Sequence, residues 1–336
     1  MTFKSLPPPH PALSPRGERV GEGRGRALKK EAQPASKISS AAEAVRRYVF
    51  DGATIGVGGQ SIGRCAMSIF HEIVRQKKKE LTLAGCNLSI PMDILVGAGL
   101  VRRTECGTGN LERFGTTFCW RKGIERGQLE NEDYSHLAMV TRFLAGEMGL
   151  PFMPIQSLLG SDMFTQKAAS TGKKFEIMAS PWNPDEKVVL LPALIPDVSI
   201  IHVQKADEMG NLIIEGFLTS EPEMIRASKA VIVTCEEVIS TDEIRKYPER
   251  TTIPYVYVNA VIPQPWGAHP TSVYRYYQHD AEHLNEYQKH AREGGAALQA
   301  YLEKYIYSCS SFDDYLEKVG GLKKFNRLRQ EMMKLV

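Results

Sequence analysis

The sequence predicts an α/β protein, a parallel sheet covered by helices with a helical C-terminal extension. Three observations predict it. Short apolar runs alternate with segments whose apolar residues recur at helical spacing. The strand-like runs close on glycine or turn residues, as at Val57-Gly58-Gly59. From Ala281 to Val336 the pattern is helical throughout.

In chain order, the folded body begins near Ile38. Ser39 and Ser40 can cap a helix through Ala44, Val45, Tyr48 and Val49, and Glu43 stands where a capping box needs it. Asp51-Gly52 turns into a strand, Ala53–Val57. A helix follows on Ala66, Ile69, Phe70, Ile73 and Val74. Leu81–Cys86 reads as a strand, Pro91–Gly99 as a short helix and Val101–Cys106 as a third strand. His136–Met148 is helical, closed by Gly149 and Pro151. Residues 151–164 carry Pro, Gly and Ser punctuation and read as a long structured loop. Val188–Leu191 and Val198–Gln204 are strands. Asp207–Asn211 is a turn into Leu212–Glu215. Glu221–Ser228 reads as a helix, and Ala230–Thr234 and Tyr255–Val261 as strands. Near the end, Phe312, Tyr315, Leu316 and Val319 share one helix face capped by Ser311. No internal repeat stands out.

Residues 1–36 stand apart. They hold seven of the 42 basic residues, three of the 39 acidic ones and six of the 19 prolines. The segment cannot bury enough apolar surface to offset its chain entropy, so a disordered tail is expected there, consistent with a translation start set too far upstream. The domain is expected over 37–336, where 35 basic residues face 36 acidic ones. The basic excess therefore belongs to the tail and implies no nucleic-acid partner. No run of about 18 apolar residues exists, and no membrane span is expected. Cysteines 65, 86, 106, 119, 235 and 309 show no zinc-type spacing. They are expected to be reduced thiols of a cytoplasmic protein, with no metal site and no bound cofactor.

The most informative stretch is Asp51–Arg64, DGATIGVGGQSIGR. A strand ends in Gly58 and Gly59, the polar loop Gln60-Ser61-Ile62-Gly63-Arg64 follows, and a helix begins. Glycines admit positive φ and close ligand approach, and free N–H groups there favour an anion or oxyanion. The stretch matches neither the phosphate-loop nor the dinucleotide fingerprint. By pattern alone a tight strand-to-helix turn fits it as well as a ligand loop. Gly85-Cys86-Asn87-Leu88-Ser89 closes the next strand and would face the same crevice, although a capped turn explains it more simply. Gln156, Ser157 and Gly160 lie on the long loop, as a binding segment or an inert connection. A lone histidine such as His269, in Trp-Gly-Ala-His-Pro, is more often structural than catalytic. Adjacent Glu236 and Glu237 point different ways and suit solvated or capping roles.

DGATIGVGG, Glu132-Asp133-Tyr134-Ser135, GLPFMPIQSLLGSDM (149–163), VTCEEVIS (233–240) and WGAHPTSVY (266–274) together resemble family I coenzyme A transferases. The resemblance is strongest to the alpha subunit of glutaconate CoA-transferase, and it runs in order from Ile38 to the C-terminus. It implies a Rossmann-like CoA-transferase fold and covalent catalysis. A Glu carboxylate attacks an acyl-CoA thioester and expels CoA thiolate, leaving a mixed anhydride. The thiolate then forms a glutamyl-CoA thioester, and an incoming carboxylate takes over the CoA. In the family that Glu stands in a Ser-Glu-Asn-Gly type motif of the beta subunit, and no such motif occurs here. The resemblance thus implies half of an enzyme, with a beta-subunit partner in a heterotetramer or hetero-octamer, and acyl-CoA and a carboxylic acid as substrates. No catalytic residue is then expected in this chain. Oxoacid-type members carry Phe, Gly and Pro where this chain has Gln60, Arg64 and Ala66. The glutaconate branch shares Arg64, while Gln60 and Cys65 depart from it too. The resemblance suggests that Arg64 grips the second carboxylate of a dicarboxylic acid; an ion pair on the following helix is the plainer alternative. The competing readings are a subunit of a ring-opening CoA-thioester hydrolase of the same fold and a non-catalytic CoA-thioester binding subunit.

Overall fold

A computed structural model describes residues 36–164 and 174–336. All but the last residue of the expected tail lies outside the described residues. The strands are β1 (Thr54–Val57), β2 (Leu81–Leu88), β3 (Val101–Gly109), β4 (Glu130–Asp133), β5 (Phe152–Ile155), β6 (Glu176–Ala179), β7 (Lys187–Pro192), β8 (Val198–Asp207), β9 (Leu212–Ile213), β10 (Val231–Ile239) and β11 (Ala260–Pro263). The helices are α1 (Ala41–Tyr48), α2 (Met67–Arg75), α3 (Ile90–Gly97), α4 (Phe118–Glu125), α5 (His136–Glu147), α6 (Glu221–Ala227), α7 (Thr241–Lys246), α8 (Ala281–Glu293), α9 (Gly295–Leu302), α10 (Phe312–Lys318) and α11 (Gly321–Met333).

The main sheet runs β11-β10-β8-β1-β2-β3-β4, parallel throughout, with β9 added antiparallel to β8. Successive side chains on a strand face opposite layers. Ile55, Val57, Leu83, Val198 and Ile200 enter one core, under α1, α2, α3 and the C-terminal helices. Ala84, Ile201, Val231 and Val233 enter the other, under α5, α6 and the small antiparallel sheet β5-β7-β6. Each fully buried aliphatic or aromatic side chain contributes roughly 1.5–3 kcal/mol. That burial holds α2, which has no side-chain cap yet buries Met67 through Val74. The C-terminal extension is therefore one wall of the core. Phe312, Tyr315 and Leu316 are buried as their spacing predicts, and Ser311 with Asp314 forms a full capping box.

Three expectations are corrected. Tyr255–Val261 is not a strand: Tyr255–Tyr257 forms a 3-10 turn with its side chains partly exposed, and the buried strand starts at Ala260. Strand β2 runs through Leu88, so Gly85, Cys86 and Asn87 lie within a strand rather than in a loop after it. The loop expected over 151–164 contributes strand β5, paired to β7.

Candidate active site

Strand β1 is where the chain order reverses: β2, β3 and β4 lie on one side, β8, β10 and β11 on the other. The crevice beyond the carboxyl end of such a strand is the usual ligand site of parallel sheets. Here it is deepened, because β1 stops at Val57 while β8 continues to Asp207 and β2 to Leu88. The glycine loop fills that notch.

The loop's own hydrogen bonds select which donors remain. Gly58 N–H donates to Ile200 O (2.9 Å), and Gly59 N–H donates to Glu221 Oε1 (3.0 Å). Gln60 and Gly63 exchange N–H···O bonds of 2.8 Å, and Arg64 N–H donates to Ser272 O (2.8 Å). Gly58 and Gly59 therefore offer no free donor, which corrects the expectation placed on them. Ser61 and Ile62 form the tip of the turn, and their N–H groups have no partner among the described residues. The Ser61 carbonyl accepts from the Ser89 hydroxyl and from the Cys65 thiol (3.4 Å). A trans peptide points its C=O and N–H in opposite directions. With the Ser61 carbonyl held inward, the Ile62 N–H is turned outward. Ser61 and Ile62 line a cavity of ≈ 280 Å³ with Gln60, Gly63, Arg64, Glu112, Glu215, Phe217, Ser272 and Tyr274. Two adjacent N–H groups at a turn tip can hold an anionic oxygen.

The backbone needed for this is strained. Gly59, Ser61 and Arg64 have φ of 83°, 51° and 53°. A Cβ on Gly59 would stand 2.7 Å from the Arg64 carbonyl oxygen, so only glycine fits.

Arg64 does not reach out to a ligand. It is buried and forks onto Glu221, Nη1 to Oε1 at 2.9 Å and Nη2 to Oε2 at 2.6 Å. Nη1 also donates to His202 O and Nη2 to Phe217 O, both at 3.1 Å. The guanidinium is thus committed within the chain, and neither a substrate grip nor a surface ion pair describes it.

Gly85, Cys86 and Asn87 stand one strand over and do not line the cavity. A Cβ on Gly85 would meet Leu88 and the Val57 carbonyl. Cys86 donates to Ser220 Oγ at 3.2 Å, and burial pushes its thiol pKa up, as it pushes Cys65 to about 11. Neither is a ready thiolate nucleophile. Gln60 Oε1 and Asn87 Oδ1 are buried with no hydrogen-bond partner among the described residues. A buried acceptor left unpaired costs about 1–3 kcal/mol.

Gln156, Ser157 and Gly160 follow β5 of the small sheet and are absent from the lining of this cavity. Gln156 donates to Glu186, and Ser157 Oγ is buried with no partner among the described residues. His269 is fully buried, with Nδ1 paired to Tyr315 Oη (2.7 Å) and Nε2 to Asp280 Oδ2 (3.0 Å). Desolvation lowers its pKa, and its bonds tie α10 to the N-cap of α8 rather than reaching a ligand. Glu236 is likewise neither solvated nor a cap: it accepts from His202 Nε2 (2.8 Å), Tyr277 Oη (2.7 Å) and Trp266 N–H (2.8 Å) in the interior. The residues that sequence reasoning missed are Glu221 and Ser272, while Ser89, on the segment expected to face the crevice, holds the Ser61 carbonyl. Glu221 reads in sequence as an ordinary acidic residue in a first helical turn, and only the tertiary fold carries it to Gly59.

Residues 38–264 match the coenzyme A transferase family. The chain belongs to this family. The alpha subunit of glutaconate CoA-transferase from Acidaminococcus fermentans is 33% identical over 302 residues, covering 87% of this chain and 94% of that one. The crystal structure of glutaconate coenzyme A-transferase from the same organism superposes with a TM-score of 0.84 at 31% identity, over 87% of this chain and 95% of that one. An uncharacterized Archaeoglobus fulgidus protein is 40% identical over 303 residues; this CoA-transferase chain spans 66% of its length. The parallel sheet and helical C-terminus inferred from sequence are thus those of a CoA-transferase. Among the described residues, no helix is long and apolar enough to cross a membrane.

Proposed function

We propose that this chain is the alpha subunit of an acyl-CoA:carboxylate CoA-transferase of the glutaconate type, working in the cytoplasm in a hetero-oligomer with a beta subunit. The observation that carries the reading is the turn tip at Ser61-Ile62, set at the switch point of a CoA-transferase sheet with its N–H groups unpaired. In the proposed reaction a beta-subunit Glu attacks the thioester carbonyl. Charge builds on the carbonyl oxygen as the carboxylate adds, and it returns to the C=O bond as the C–S bond breaks, CoA thiolate leaving and a mixed anhydride remaining. The Ser61 and Ile62 N–H groups hold that oxygen; removal of one such donor typically costs about 2.7–4 kcal/mol in the transition state. The unpaired acceptor of Gln60, a residue that lines the cavity, is filled by a ligand or partner donor.

The test is a CoA-transfer assay on the chain alone and with its beta subunit. Acyl-CoA formation from a second carboxylic acid, only in the two-subunit complex, supports the reading. Free CoA released at the same rate with and without the acid supports the hydrolase instead. CoA-thioester binding without turnover supports a binding subunit.

A further inference from the structure

We propose that Glu221 is a positioning residue for the transfer reaction, setting the Ser61-Ile62 donors through the loop it anchors. This rests on the function proposed above. Glu221 opens α6 on the opposite core layer from α2, and its side chain is almost wholly buried. Its two oxygens do three things at once. Oε1 takes the Gly59 N–H and Arg64 Nη1, and Oε2 takes Arg64 Nη2. One carboxylate therefore ties down both ends of the strained segment Gly59–Arg64, which closes on itself through the Gln60–Gly63 pair. A non-glycine residue at positive φ is strained and persists only where the surroundings over-determine it. Here Ser61 and Arg64 are both in that state.

The arrangement has a direction. The Gly59 N–H bonded to Glu221 cannot donate to a ligand, so Glu221 leaves the turn tip as the source of donors. Arg64 in turn braces the carbonyls of His202 and Phe217, which fixes β8 and the Phe217 wall of the cavity relative to the same loop. Loosening Glu221 would let the turn relax toward ordinary φ values and misplace the Ile62 N–H. Misplacement by about 1 Å can cost on the order of 100-fold in rate.

A plain buried ion pair would stabilise the fold without setting rate, and the experiment separates the two. Glu221→Gln, the double variant Arg64→Met/Glu221→Leu and Glu72→Gln are compared with the parent in the two-subunit complex. Glu72 pairs with Arg75 in α2 and serves as a buried ion-pair control away from the loop. The double variant removes both charges together, which restores much of the stability lost when one partner stands alone. We expect Glu221→Gln and the double variant both to lower kcat about tenfold or more with KM for acyl-CoA within about twofold, and Glu72→Gln to keep kcat. Amide exchange in a peptide covering residues 58–65 should quicken in both Glu221 variants and stay unchanged in Glu72→Gln. A double variant that regains stability and kcat together would overturn the inference, as would unchanged exchange in the loop. A parent complex with no transfer activity contradicts the functional reading itself, while the exchange data still decide whether Glu221 holds the loop.

Discussion

A buried carboxylate stripped of its cation is among the most destabilising single defects a fold can carry. Arg64→Ala would leave Glu221 in that state. We predict a loss of about 3–5 kcal/mol in denaturant unfolding. Mono- and dicarboxylate substrates should suffer alike, because the guanidinium is committed to Glu221 and to the His202 and Phe217 carbonyls. A selective loss for dicarboxylates would return Arg64 to substrate recognition. A second buried acid gives a pH signature. Asp93 is fully buried, and burial raises its pKa to about 6, against Trp120 N–H and Tyr287 Oη, which bond it at 2.8 and 2.7 Å. A raised folded pKa favours the protonated form, so its contribution is complete below about pH 4 and lost as pH rises through about 6. Asn does not titrate. Relative to Asp93→Asn, the parent should therefore lose roughly 2 kcal/mol between pH 4 and pH 7.5. Parallel stability profiles for the two proteins would contradict this.

Elements differ in how plainly the sequence announces them. Gly59→Ala meets both a positive φ and a backbone oxygen at 2.7 Å, whereas Gly99, also at positive φ, has open space where a Cβ would go. Gly99→Ala should cost about 1–2 kcal/mol and Gly59→Ala distinctly more, by thermal or denaturant unfolding. Equal costs would mean that the loop yields. The strand-loop-helix order around this glycine pair was legible, because β1 is a buried apolar run and α2 carries a full apolar period. So were α5 and α10, whose caps Ser135 and Ser311 hold N–H groups at the helix starts. Strand β4 was not legible: Glu-Asn-Glu-Asp has no β propensity, and its pairing to β3 at the sheet edge makes it a strand. Helix α4 lacks a side-chain cap and buries little beyond Cys119. The aromatic run at Tyr255–Tyr257 mimics a strand yet stays partly exposed. At the site, the glycine loop was legible, while the choice of donors within it was not. That choice depends on Ile200, Glu221 and Ser272, which lie far from the loop in sequence and reach it only through the fold.

At the scale of the whole molecule, the sheet, both core layers and the donor turn lie in one chain, and the chemistry assigned to it is incomplete. The function proposed above assigns the nucleophilic Glu to a second polypeptide. Three carboxylates of this chain have other duties: Glu221 binds Arg64 and Gly59, Glu236 binds His202, Tyr277 and Trp266, and Glu215 pairs with Arg275. Residues 1–30 lack the periodic apolar pattern of a folded segment, and their deletion should leave transfer activity and melting temperature unchanged. The most direct test of a nucleophile outside this chain is to trap the covalent intermediate. The two-subunit complex is incubated with acyl-CoA, treated with hydroxylamine to convert a glutamyl thioester to the hydroxamate, and mapped by peptide mass spectrometry. The expected result is modification of a beta-subunit Glu and none on this chain. A hydroxamate on Glu215, Glu236 or Glu237 of this chain would contradict that division of labour.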